Sequence, residues 1–183
     1  MGSLRASQEG ALKRLNNVFK GKFRVGVAER GVAWFKITVK GKSTHASQPN
    51  LGVNAISKAS KVITELEKLS VKLARKKHPL IGASTCSVTI VEGGFKENII
   101  PDQCRITVDR RMIPGETVKE AEKEIEKILK NLRKKDPKFR FSMELTCLFE
   151  PAEIPSKSEI VSVVRRNLKK VCGYDSKPWG TPY

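Results

Sequence analysis

Residues 25–41 read VGVAERGVAWFKITVKG. In the second half Phe35, Ile37 and Val39 alternate with Trp34, Lys36, Thr38 and Lys40. Successive side chains of a strand point to opposite faces, so this period of two predicts a half-buried strand with one apolar face. The stretch as a whole predicts two strands about a turn at Glu29, Arg30 and Gly31. The segments that follow decide what sheet the second strand joins.

Residues 54–74 repeat at helical spacing. Ala55, Ile56, Ala59, Ile63, Leu66 and Leu73 fall on one stripe, and Asn54 is a natural N-cap. A residue before proline avoids the helical region, so the helix ends ahead of His78-Pro79. STCSVTIVEGG at 84–94 is the next strand, with Cys86, Val88 and Ile90 on one face. DQCRITVDRR at 102–111 places Cys104, Ile106 and Val108 together. Thr117 and Glu120 have capping-box spacing, and the helix they start carries Ala121, Ile125, Ile128 and Leu132 until Asp136-Pro137 stops it. FRFSMELTCLF at 139–149 closes the set, with Phe139, Phe141, Met143, Leu145, Cys147 and Phe149 on one face.

From Trp34 to Phe149 the order is therefore strand, helix, strand, strand, helix, strand. That pattern predicts an α+β fold: a ferredoxin-like βαββαβ two-layer sandwich, an antiparallel sheet with two helices on one face, plus short flanking segments. Cys86, Cys104 and Cys147 point into its expected core as small buried hydrophobes. Three parts are expected: a basic flank or linker over 1–24, with a short helix over Ala11–Phe19; a domain over 25–150 that holds the sandwich; and a C-terminal helix and loop over 151–183. In that last helix Ser156 and Glu159 have capping-box spacing, Val161, Val164, Leu168 and Val171 form the stripe, and Gly173 ends it.

Composition narrows the function. The 183 residues are 39% hydrophobic and 30% charged, a globular balance. No apolar run can span a bilayer and no secretory signal opens the chain, so a cytoplasmic protein without a membrane partner is expected. The net charge of +17 would attract nucleic acid. It is spread over helix faces and ends, however, at Arg75–Lys77, Lys130–Lys135 and Arg165–Lys170, which reads as a solvated surface. None of the four cysteines forms a CxxC pair, so a zinc ribbon or redox dithiol is not expected.

Common catalytic motifs fail one by one. GKST at 41–44 resembles the end of a phosphate-binding loop, but Lys36 stands where that loop needs glycine. Ser43 and Ser47 flank His45 without a GxSxG elbow. With two histidines, no HxD, no HExxH and no adjacent Glu-Glu, no metal set is expected in this chain. An RNA-binding sheet is the alternative function. Its open face would show Lys36, Thr38, Ser87, Arg105 and Thr107, with Trp34 as the lone aromatic. His45, Asn98 and Arg111 remain as polar residues in unusual settings.

Two longer stretches, ERGVAWFKITVKGKSTHASQPNLGVNAI at 29–56 and GGFKENIIPDQCRITVDRRMIPGET at 93–117, change that picture. Their Gly-Lys-Ser-x-His-x-Ser-x-Pro, Gly-x-Asn-Ala, Asn-x-Ile-Pro, Asp-x-Arg and Pro-Gly-Glu recur in the order that resembles the lid, or dimerisation, domain of the zinc aminoacylase and carboxypeptidase family. That family includes acetylornithine deacetylase, succinyl-diaminopimelate desuccinylase and glutamate carboxypeptidase. More loosely, GTPY at 180–183 resembles the lead-in to the catalytic domain.

The resemblance implies a homodimer within a metal-dependent amidohydrolase acting on N-acyl amino acids or peptides, with zinc or cobalt held outside this chain. It implies that His45 supplies an oxyanion contact in the partner's active site and that Asn98 and Arg111 bind the substrate carboxylate. The chain is then a lid with short flanks, 151–183 being a remnant of the catalytic domain, and is inactive alone.

Overall fold

The computed structural model describes residues 23–173 and 175–181. The helix expected over Ala11–Phe19, the Cys172 side chain and the final Pro-Tyr lie outside that description. The strands are β1 (Val25–Glu29), β2 (Gly31–Lys40), β3 (Thr44–His45), β4 (Lys77–His78), β5 (Gly82–Ala83), β6 (Thr85–Gly93), β7 (Ile99–Ile100), β8 (Gln103–Met112), β9 (Arg140–Phe149), β10 (Ala152–Glu153) and β11 (Pro178–Thr181). The helices are α1 (Ala55–Leu73), α2 (Val118–Lys135) and α3 (Glu159–Cys172).

The main sheet has the order β6-β8-β2-β9 with every neighbour antiparallel. Helices α1 and α2 each connect strands that are parallel but not adjacent, which is the expected ferredoxin-like arrangement. Phe35, Ile37 and Val39 of β2 and Cys104, Ile106 and Val108 of β8 meet Ala59, Val62 and Leu66 of α1 and Ile125 and Leu129 of α2 in one core. Both helix starts are capped as their sequences direct: Asn54 accepts from the Ser57 amide, and Thr117 and Glu120 form a reciprocal capping box. The α1 stripe is shifted from expectation, with Val62 and Leu69 buried and Ile56 43% exposed.

Two bulges correct the expected faces. In β6 Val88 pairs with Val108, but the next pairing is Ile90 with Thr107, leaving Thr89 extra. One extra residue reverses the inward and outward sets, so Ile90 sits opposite Thr107 on the open face and is exposed. In β9 the pairing steps from Leu145 opposite Phe35 to Cys147 opposite Trp34, leaving Thr146 extra, and its hydroxyl donates to the Trp34 carbonyl. Cys147 and Phe149 therefore join Trp34 and Val32 on the open face. Of the three cysteines expected in the core, only Cys86 and Cys104 are buried. Burial pushes the Cys86 thiol up to about 11, which leaves it protonated and unreactive at neutral pH.

Beneath the sheet on the helix side, Arg110 is 1% exposed. It donates to the Thr85 and Arg111 carbonyls and pairs with Glu116 and Glu124. Glu116 also accepts from Ser84, from Lys76 and from the Ile113 amide, so one carboxylate ties β8 to the segment before α2.

β1 is not part of the sandwich. It lies between β10, antiparallel, and β11, parallel, in a second sheet covered by Val161 and Leu168 of α3. The backbone crosses between the sheets at Arg30 and returns at Glu150-Pro151. The crossing is tight: a Cβ on Gly31 would stand 2.6 Å from Pro151 Cδ and 2.7 Å from the Phe149 carbonyl. Helix α3 starts later than expected, with Ser158 rather than Ser156 at the N-cap, and Val164 and Val171 stay half exposed. Gly173 takes the left-handed conformation at φ 76° and ends the helix.

Candidate functional site

His45 sits on β3, a two-residue strand held by β7, with Thr44 opposite Ile100 and His45 opposite Ile99. The Ala46 amide donates to the Asn98 carbonyl at 2.8 Å. The segment leaves the main sheet at Gly41, whose amide donates to Asp102. A side chain there would not fit, because its Cβ would stand 2.0 Å from the Val53 carbonyl. The two segments carrying His45 and Asn98 are thus bound together at the end of the sheet where β2 finishes and β8 begins.

The imidazole is exposed, but its Nδ1 is engaged. The Ser47 amide donates to it at 3.2 Å, and the Ser47 hydroxyl lies at 2.7 Å. No hydrogen bond to a described residue engages Nε2. Asn98 is exposed just ahead of β7.

Arg111 is elsewhere. Alternation along β8 puts it on the open face while Arg110 is buried on the helix side. Its Nε donates to Asp109 Oδ1 at 2.8 Å and its Nη2 to Oδ2 at 3.0 Å. The Trp34 indole donates to the same Oδ2 at 2.9 Å. Asp109 therefore fixes one edge of the guanidinium and leaves the other available for a planar anion. Asp109, Trp34 and Ser47 are the residues that motif reading alone leaves without a role. The i, i+2 spacing of Asp109 and Arg111 on one strand face, and of His45 and Ser47 in one tight turn, is the signal that points to them.

Arg111 pairs with Val32 and Thr85 near the crossing between the sheets, eight residues along β8 from Gln103. At the rise of a strand that is about 26 Å. The structure brings His45 and Asn98 together and holds Arg111 at the opposite end of the sheet. No group of three His, Cys, Asp or Glu among the described residues can hold a metal ion. No described helix is long and apolar enough to cross a membrane.

Residues 27–137 match the peptidase dimerisation domain family. The acetylornithine deacetylase of Myxococcus xanthus is 26% identical over 140 residues, which is 73% of this chain and 36% of that protein. An uncharacterized metallohydrolase of Methanocaldococcus jannaschii is 28% identical over 167 residues, 85% of this chain and 41% of that protein. Among solved structures, the aminopeptidase PepT of Bacillus cereus superposes with a TM-score of 0.70 at 20% identity, covering 89% of this chain and 42% of that one. This chain thus spans about two fifths of the length of each. These relatives are hydrolases and give the RNA-binding alternative no support. Matched over most of its sandwich, and similar to a deacetylase and a metallohydrolase, the chain belongs to the peptidase dimerisation domain family.

Proposed function

We propose that this domain pairs with a second copy of itself inside a cytoplasmic, metal-dependent hydrolase of N-acyl amino acids or peptides, and that each active site draws on both copies. The observation that carries this reading is the separation of the candidate residues. Within one copy, a single N-acyl amino acid cannot touch both His45, bound to the segment just before β8, and Arg111, eight residues or about 26 Å along β8 from Gln103. It can touch both when His45 and Asn98 come from one copy and Arg111 from the other. The arrangement is reciprocal, as a two-fold dimer requires.

In that site Arg111 takes the substrate carboxylate with its free edge, and Asn98 of the other copy adds a donor. His45 donates to the carbonyl oxygen of the scissile amide as negative charge develops there. In this reading the ion that activates water is held by another domain of the hydrolase. This chain then supplies binding and charge stabilisation, and has no hydrolytic activity alone.

The pairing surface is best supported at the outer edge of β6, which no strand among the described residues pairs with. An unpaired strand edge is a template for another strand. Ile90 and Val91 on it are about half exposed, and Ile56 of α1 reaches over Gly93 and Gly94 beside the exposed Phe95. Light scattering after size exclusion is expected to give the mass of two chains, and Val91→Glu the mass of one. A monomer at every concentration tested would sink the reading.

A further inference from the structure

We propose that Ser47 is a positioning residue that fixes the tautomer of His45, placing the ring proton on Nε2. The inference rests on the functional reading of His45 only for its consequence. The geometry stands by itself.

A backbone N–H can donate but not accept. The Ser47 amide is directed at His45 Nδ1 at 3.2 Å, so Nδ1 is the acceptor of that pair. The Ser47 hydroxyl, 2.7 Å from the same nitrogen, then also directs its proton there. A ring nitrogen that accepts two donors carries no proton, and the proton of the neutral imidazole resides on Nε2.

The backbone explains why this serine reaches the ring. Gln48 donates its amide to the His45 carbonyl at 2.9 Å, which closes a turn over residues 45–48. The turn is pinned on its other side by the bond from Ala46 to Asn98. Inside it the Ser47 amide faces the histidine ring rather than a strand partner. The hydroxyl is the second donor from the same residue, so one side chain and its own backbone select one tautomer.

The consequence is a matter of sign. A ring with Nε2–H offers a donor to a developing oxyanion. A ring with its proton on Nδ1 offers a lone pair to the same oxygen and repels it. His45 is exposed, so without Ser47 little else at that loop selects between the two forms.

The test uses the chain itself, labelled with ¹⁵N-histidine, at pH 8, with the ring ¹⁵N shifts reporting that the imidazole is neutral. Long-range ¹H–¹⁵N spectra distinguish a protonated ring nitrogen from an accepting one. His45 is expected to show an accepting Nδ1 and a protonated Nε2. Ser47→Ala removes one neutral hydrogen bond and is expected to lower the Nε2–H to Nδ1–H ratio about fivefold. Ser47→Thr, which keeps the hydroxyl, restores it. His78 is the internal reference: its Nδ1 accepts from the Leu80 amide and its Nε2 faces Glu153, and neither contact involves Ser47.

Predominant Nδ1–H in the unmodified chain, or a ratio unchanged by Ser47→Ala, would overturn the proposal. Either result would leave the dimer and the hydrolase reading standing, because the spectrum needs no catalysis. Conversely, a fixed Nε2–H tautomer in a chain that remains monomeric would uphold Ser47 and defeat the shared site.

Discussion

His45→Ala is expected to lower kcat about 10²- to 10³-fold, with KM nearly unchanged, in a hydrolase that carries this domain. A suitable one is a chimaera in which the whole sandwich, residues 31–149, replaces the corresponding segment of the Myxococcus xanthus deacetylase. The magnitude is that of removing one preorganised oxyanion donor. The split between kcat and KM follows from where the charge appears. The amide oxygen is nearly neutral in the bound substrate and becomes anionic only in the transition state, so the lost bond is one made late. Arg111→Ala is expected to behave differently. A carboxylate is charged from the start, so the loss appears mainly in KM, at about 1.5–3 kcal/mol for a hydrogen bond to a charged group. Steady-state kinetics on the two variants checks both, and equal effects of the two on KM would argue against their separate roles.

The second large effect concerns stability. Glu116→Ala is expected to cost about 3–5 kcal/mol, the range for breaking a buried ion pair by removing one partner. Arg110 would lose its Glu116 contact at 3.3 Å and keep Glu124 at 3.4 Å, while remaining almost wholly enclosed. Ser84 would lose its acceptor as well. For a chain of this length that corresponds to a fall in Tm of about 6–20 °C. Lys76→Ala, which removes a half-exposed partner of the same carboxylate, is expected to cost no more than about 1 kcal/mol.

The effect also depends on pH. Burial raises the Glu116 pKa, but the hydrogen bonds from Ser84 and Lys76 and the Arg110 charge outweigh it and hold the carboxyl below its ordinary value of 4.5. A lowered folded pKa means stability that is fully present above 4.5 and is lost as pH falls through the folded value. Urea unfolding of the two proteins should show a wide gap at neutral pH that narrows in acid. A gap independent of pH would show that the charge of Glu116 contributes nothing.

The sandwich was legible because its strands and helices keep their periods. Phe35, Ile37 and Val39 alternate strictly, and Ala121 and Ile125 recur at helical spacing, so local pattern and tertiary burial agree. The bulges were not legible for a physical reason. In residues 139–149 the apolar alternation continues past Thr146 to Cys147 and Phe149, although the backbone there has gained a residue on its partner. Nothing in the side chains marks the slip, and only the pairing reveals it. The second sheet was hidden because β1 finds its partners more than a hundred residues away, at Ala152 and Pro178.

The site divides in the same way. The resemblance pointed to Arg111, while the bonds of Asp109 to its guanidinium and the contact of Ser47 with the ring needed coordinates. The sequence placed Asn98 and His45 more than fifty residues apart. The β3–β7 pair that joins them is two residues long, too short to carry a period of its own. Nor does the sequence carry the distance to Arg111, which sets how many copies a site needs.

Mixing shows whether two copies of this domain complete one site. His45→Ala and Arg111→Ala forms of the chimaera are dissociated and reassociated together, and hydrolysis is measured. In the mixed dimer one site receives His45 from the Arg111→Ala copy and Arg111 from the His45→Ala copy. About half the dimers of an equal mixture are mixed if pairing is random, so activity is expected to return to about one quarter of the unmodified level. If instead each site takes both residues from one copy, every site in the mixture lacks one of them. Activity that stays at the level of the separate variants would rule out a site shared between copies.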